Sequence, residues 1–95
     1  MTAQGDGRPP PSLVLYSRAY CHLCHDMEAA LRRLQAEVPF HLEVLDVDSD
    51  PVLEQRFNEL VPLLMQGERE LARYHLDADL LRSELLAQAL KSPSN

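Results

Sequence analysis

Both cysteines of the chain fall in one motif, Cys21-His22-Leu23-Cys24, and the residues on either side restrict what that motif can belong to. Before it runs Leu13-Val14-Leu15-Tyr16-Ser17, a short and nearly unbroken apolar segment suited to a strand covered on both faces. After it, Leu23, Met27, Ala30, Leu31 and Leu34 recur at three- and four-residue spacing, which predicts an amphipathic helix. Arg32, Arg33 and Glu37 take its other face, and Pro39 closes the helical region. The cysteines are therefore expected where a buried strand passes into a helix.

The remaining pattern completes a small α/β domain. Phe40 to Val47 reads as a second strand, alternating Phe40, Leu42 and Val44 against His41, Glu43 and Leu45. Asp50 is the expected N-cap of a helix with Pro51 in its first position, and Leu53, Phe57 and Leu60 form its apolar side. Leu63-Leu64-Met65 and Glu70 to Tyr74 read as two strands of a hairpin, with Gly67 in the loop. Asp77 is placed to cap a last helix, with Leu76 and Leu81 as a hydrophobic staple and Leu81, Leu85, Ala89 and Leu90 as its stripe. The order is β-α-β-α-β-β-α. A strand-helix-strand unit crosses over right-handed with its strands parallel, and the hairpin adds antiparallel strands. The expected fold is a four-stranded mixed sheet with helices on both faces.

A length of 95 residues allows one domain. Residues 13–91 are expected to form it, with a disordered leader over 1–12, rich in Gly and Pro, and a frayed tail over 92–95. The net charge of −6, with one Lys and eight scattered Arg, argues against a nucleic-acid or anionic-membrane surface. The longest strongly apolar run, Leu60 to Met65, is far below the roughly 20 residues that cross a bilayer. Residues 1–12 lack the apolar core of a secretory signal. A cytosolic monomer is expected, in a compartment that keeps thiols reduced.

A Cys-x-x-Cys at a helix start has a direct chemical use. The free N–H groups and positive partial charge of the terminus stabilise a thiolate over a thiol. Free cysteine is only about 3% thiolate at pH 7, and such sites lower the thiol pKa from about 8.5 into the range of ~3.5–7. Cys21 is then the expected nucleophile toward a disulfide, and Cys24, three residues on, the resolving thiol. A purely structural bridge is the weaker alternative, since closing so small a ring contributes only roughly 2 kcal/mol. Zinc is a second alternative, with His22 or His25 beside the cysteines, although His41 and His75 have no pair spacing. His22 is a candidate thiolate stabiliser, with Asp26 four residues on to face it. Pro62 opens a strand, a permitted place for proline, and taken alone the Val61-Pro62 bond is expected to be trans.

The motif after Leu13–Ser17, with Val61-Pro62 some forty residues later, resembles the glutaredoxin branch of the thioredoxin fold. It is similar in particular to small bacterial glutaredoxin-like proteins of unassigned role, over about Leu13 to Leu90. The resemblance implies a cis peptide at Val61-Pro62 facing the Cys21 sulfur, where the Val61 backbone pairs with a substrate strand or with glutathione. It places Arg18 where a basic residue helps to hold glutathione, and Asp77 or Asp79 near the glutamyl amine. Cys21 takes the nucleophile's place and Cys24 the resolving one. Two departures stand out: the spacer is His-Leu rather than Pro-Tyr or Gly-Pro, and Tyr74-His75-Leu76-Asp77 stands where glutaredoxins carry Gly-Gly. The side chains of His75 and Leu76 obstruct the backbone's approach to glutathione there.

The expected function is that of a thiol–disulfide oxidoreductase of glutaredoxin-like type, acting on protein or glutathione mixed disulfides. It needs no bound cofactor or metal, and glutathione is a candidate reductant or substrate, with a flavin reductase as the other electron source. Disulfide-containing proteins are the expected partners. The alternatives are a thioredoxin-like reductant of one dedicated protein, or a non-catalytic module that senses redox state or binds zinc.

Overall fold

A computed structural model describes residues 9–90. Its elements are β1 (Ser12–Ser17), α1 (His22–Gln35), β2 (His41–Asp46), a 3₁₀ turn (Val47–Ser49), α2 (Pro51–Phe57), β3 (Leu63–Gln66), β4 (Arg69–Arg73) and α3 (Ala78–Leu90). Of the expected leader, residues 1–8 lie outside the described residues, as does the tail over 92–95. Ser12 opposes His41 in the sheet, and the Pro11 carbonyl accepts from the His41 N–H at 2.8 Å.

The sheet order is β2-β1-β3-β4. The β1–β2 pair is parallel, and β1–β3 and β3–β4 are antiparallel, which gives the mixed sheet the pattern predicted. Alternation sends successive side chains to opposite faces, so β1 feeds two cores. Leu13 and Leu15 pack with Leu64 of β3, Met27, Leu31 and Leu34 of α1, and Leu81 and Leu85 of α3. Tyr16 turns to the other face, with Val47, Phe57, Leu63, Leu53 and Val61. There the Tyr16 and Phe57 rings stack with centroids 4.2 Å apart, an arrangement that adds about 0.5–1.5 kcal/mol beyond burial. Helices α1 and α3 thus cover one face and α2 the other.

Local chemistry sets the element ends. Asp50 caps α2 by accepting from the Val52 N–H at 2.9 Å, with Pro51 in the first turn. Asp77 caps α3 by accepting from the Leu80 N–H at 3.1 Å. Gly67 supplies the positive φ of 60° that the β3–β4 turn requires.

Three expectations are corrected. Strand β2 ends at Asp46 because Val47 turns into the second core through the 3₁₀ turn, whose Asp48 N–H donates to the Asp46 carboxylate. Strand β4 runs Arg69–Arg73, because Tyr74 has φ 69° and leaves the extended region. The α3 stripe ends at Leu85. Leu90 is 85% exposed, since the helix outruns the apolar core, and two residues earlier Gln88 pairs with Gln66 through two side-chain amide bonds. Among the described residues no helix is long and apolar enough to cross a membrane.

Replacing Leu15, fully buried under α1, with alanine is expected to lower unfolding free energy by about 2–5 kcal/mol. Leu90→Ala should stay within about 0.5 kcal/mol of the parent, both read from urea midpoints. Equal losses would show that the end of α3 is buried after all.

Candidate active site

Strand register gathers the site. Tyr16 opposes Leu63, Leu63 opposes Arg73, and Ser17 opposes Asp46. The segments that continue from these positions therefore meet at one end of the sheet. They are Arg18 to Cys21, Val47 to Ser49, Val61-Pro62 and Tyr74. This is the carboxyl end of the parallel pair, where open α/β sheets place their ligands.

Cys21 is itself the N-cap of α1, with extended backbone. Its Sγ accepts a hydrogen bond from the Cys24 N–H at 3.1 Å, and its carbonyl accepts from the His25 N–H at 3.1 Å. A sulfur in that position receives one of the amides that a helix start leaves unpaired. Cys21 and Cys24 are joined as a disulfide with their Cα atoms 5.1 Å apart, so the structure is that of the oxidised pair. The two sulfurs are not equivalent: Cys24 is fully buried, whereas Cys21 is only half-buried. Tyr20 just before the pair and Leu23 within it are exposed apolar residues.

The other predicted site residues spread around this centre. The His22 side chain is 90% exposed and its Nε2 lies 3.9 Å from Asp26 Oδ2, one helical turn on. The Val61–Pro62 peptide bond is cis. Pro62 is buried, and its carbonyl accepts from the Tyr74 N–H at 2.8 Å. Asp77 is spent as the cap of α3.

Arg18 is committed to protein groups. Its Nε and Nη2 donate to the two Asp48 carboxylate oxygens at 3.0 and 2.8 Å. Nη1 donates to the Asn58 carbonyl at 3.0 Å, and Nη2 also reaches Asn58 Oδ1 at 2.8 Å. A guanidinium has five N–H donors, and these contacts take four of them. The fork ties the loop before Cys21 to the 3₁₀ turn and to the end of α2. The hydrogen bond from Arg18 also holds the Asp48 carboxyl below its ordinary pKa.

Asp48, Asn58 and Tyr74 are the members that sequence reasoning missed. Asp48 carried a usable signal, a carboxylate at the end of a strand parallel to the one leading to Arg18. Asn58 carried none.

A cleft of about 210 Å³ adjoins the motif. It is lined by Leu23, Met27 and Ala30 of α1 and by Tyr74 and Leu76 of the β4–α3 connection. Asp26 and His75 complete its lining.

With this geometry in hand, comparison with known proteins gives a consistent pattern. Residues 12–86 match the family model described as a glutaredoxin-like domain (DUF836). The solution structure of protein Ne2328 from Nitrosomonas europaea is 39% identical, with a TM-score of 0.67 over 81% of this chain and 93% of that one. The X-ray structure of protein XcR50 from X. campestris is 33% identical, with a TM-score of 0.63 over 79% of this chain and 96% of that one. A mutant thioredoxin from Halobacterium salinarum NRC-1 shares the fold at 18% identity, with a TM-score of 0.62 over 88% of this chain and 79% of that one.

The Arg18–Asp48 contact makes a pH prediction. A carboxyl whose pKa is lower folded than unfolded adds stability above its unfolded pKa, and that stability disappears as pH falls through the folded value. The Asp48 contribution is thus fully present above its ordinary value of 3.8 and is lost as pH falls through the lower folded value. Asp48→Asn should be less stable than the parent at pH 7, with the difference narrowing in urea titrations below pH 3. A gap that stays constant across this range would mean that the Asp48 charge plays no part.

Proposed function

The chain belongs to the glutaredoxin-like family, and we propose that it is a dithiol–disulfide oxidoreductase, reducing protein disulfides or glutathione mixed disulfides through Cys21 and Cys24. The observation that carries this reading is the Cys21–Cys24 bridge at the α1 terminus, with the Cys24 amide directed at the more accessible sulfur.

In the reduced protein, the helix terminus and the Cys24 N–H stabilise negative charge on Cys21 Sγ. The Cys21 thiolate attacks one sulfur of the substrate disulfide. A mixed disulfide forms and the other substrate sulfur leaves as a thiolate. Cys24, having lost its proton, then attacks Cys21 Sγ, and the first substrate sulfur departs as the second thiolate. Two electrons have passed to the substrate, the two thiolates take up protons, and the protein is left with the Cys21–Cys24 disulfide. Two glutathione thiols or a flavin-dependent reductase return those electrons, so no resident cofactor is required. Burial of Cys24 supports its resolving role, because an external disulfide reaches Cys21 first.

The supporting parts have separate duties in this reading. Val61, before the cis proline, offers its backbone to the substrate. Arg18 positions the loop that precedes Cys21, since most of its donors are taken by Asp48 and Asn58. His22, when protonated, adds positive charge beside the thiolate from solvent. The protein works as a cytosolic monomer, with disulfide-containing proteins or glutathione as its reaction partners.

Equilibration across a glutathione redox series, read by intact mass, tests the proposal. The wild type should lose and regain two hydrogens reversibly, and Cys24→Ser should accumulate a mixed disulfide on Cys21. Cys21→Ser should have no disulfide-reductase turnover. Full turnover in Cys21→Ser, or a dithiol that never closes, would overturn the mechanism.

A further inference from the structure

We propose that Tyr74 is a specificity-determining residue of the dithiol site. It favours a neutral or cationic polypeptide disulfide, with an apolar residue beside the cysteine, over glutathione disulfide. The proposal rests on the oxidoreductase reading above and names its substrate class.

Tyr74 has φ 69°, the one positive value at a described non-glycine residue. Bulky L-residues seldom adopt that region, and glycine would enter it without strain. Two hydrogen bonds hold the tyrosine there. Its N–H donates to the Pro62 carbonyl at 2.8 Å, and its phenol donates to the Glu59 carbonyl at 2.8 Å. The residue thus spans the segment that carries Val61-Pro62, bonded to a carbonyl on each side of Val61. Strain of this kind is typical of positions that serve a site.

The conformation has a consequence for the cleft. Tyr74, 39% exposed, lines the cleft together with Leu23, which is 37% exposed and lies between the two cysteines. An apolar side chain adjacent to the sulfur that Cys21 attacks would rest against these two residues.

Charge points to the same occupant. Glutathione disulfide is a net anion through its carboxylates, and binding it calls for cations near the dithiol. The cleft lining has no Lys or Arg; its charged group is the Asp26 carboxylate, beside the single imidazole of His75. Arg18 has four of its five donors engaged by Asp48 and Asn58. Arg73, next to Tyr74, donates to Glu70 at 2.7 Å. A polypeptide segment without negative charge needs none of these cations and gains the apolar contact.

Single-turnover kinetics test this without any electron donor. The pre-reduced full-length protein is mixed with either the disulfide-linked dimer of an uncharged peptide bearing leucine beside its cysteine, or glutathione disulfide. Formation of the Cys21–Cys24 disulfide is followed by mass. The wild type should favour the peptide by about tenfold or more, the scale of one apolar contact. Tyr74→Gly, which removes the ring and relieves the backbone, should bring the two rate constants within about threefold. Tyr74→Phe should keep most of the preference. If Tyr74→Gly loses its circular dichroism, Tyr74→Asn replaces it, because asparagine tolerates the same φ. A merely structural role would slow both substrates together and leave the ratio unmoved. A wild-type ratio near one, or a ratio unchanged in the ring-less variant, overturns the specificity proposal while leaving the oxidoreductase reading intact. A wild type that oxidises with neither disulfide overturns both.

Discussion

The reactive end of the molecule depends on the position of β1. That strand is bonded on both sides, to β2 and to β3, and covered above and below by apolar side chains. A strand held in this way cannot shift by one residue without exchanging its two faces. Leu13 and Leu15 would trade places with Val14 and Tyr16, and the Tyr16–Phe57 stack would be lost. With β1 fixed, the chain must leave at Ser17, and Cys21 falls at the start of α1. The helix in turn is held by Met27, Leu31 and Leu34 against the same strand. The Cys24 N–H meets the Cys21 sulfur because both ends of that connection are anchored.

Two kinds of positive charge lie near the sulfur, and the fold uses them differently. The helix terminus points its partial charge and a backbone amide at Cys21, where a developing thiolate benefits from both. The full charge of Arg18 is directed away from chemistry, into a fork on Asp48 and Asn58. Such an arrangement aims positive partial charge at the sulfur while the guanidinium is tied up in protein contacts. The opposite side of the motif is apolar, with Leu23, Met27 and Tyr74 along one cleft. The local surface thus combines a sulfur at a helix start with an apolar cleft.

Much of this was legible in the residues. Element order followed from hydrophobic periodicity, and the caps Asp50 and Asp77 sit where their side chains indicated. These signals are local: a cap or an amphipathic face needs only the neighbouring residues to be recognised. The errors lay where a distant partner overrode the local pattern. Val47 continued an apparent strand by composition, yet it turns to meet Phe57 and Leu63. Tyr74 has the propensity of a strand residue, and its left-handed backbone is imposed by bonds to Glu59 and Pro62. Leu90 fitted the helical stripe, but the core ends before reaching it.

The candidate site divides along the same line. By itself the sequence determined the reactive pair: two cysteines three apart, between a buried strand and an amphipathic helix, with the first at the helix start. Covalent spacing and helix geometry suffice for that. Only the tertiary structure decided which surroundings the pair receives. The cis bond before Pro62 was set there; the capture of Arg18 by Asp48 and Asn58 joins residues 30 and 40 positions apart, and the shared cleft brings Tyr74 to Leu23 from about 50. Such contacts depend on strand order and register. Those are set by the packing of the two cores as a whole, which no short stretch of sequence encodes.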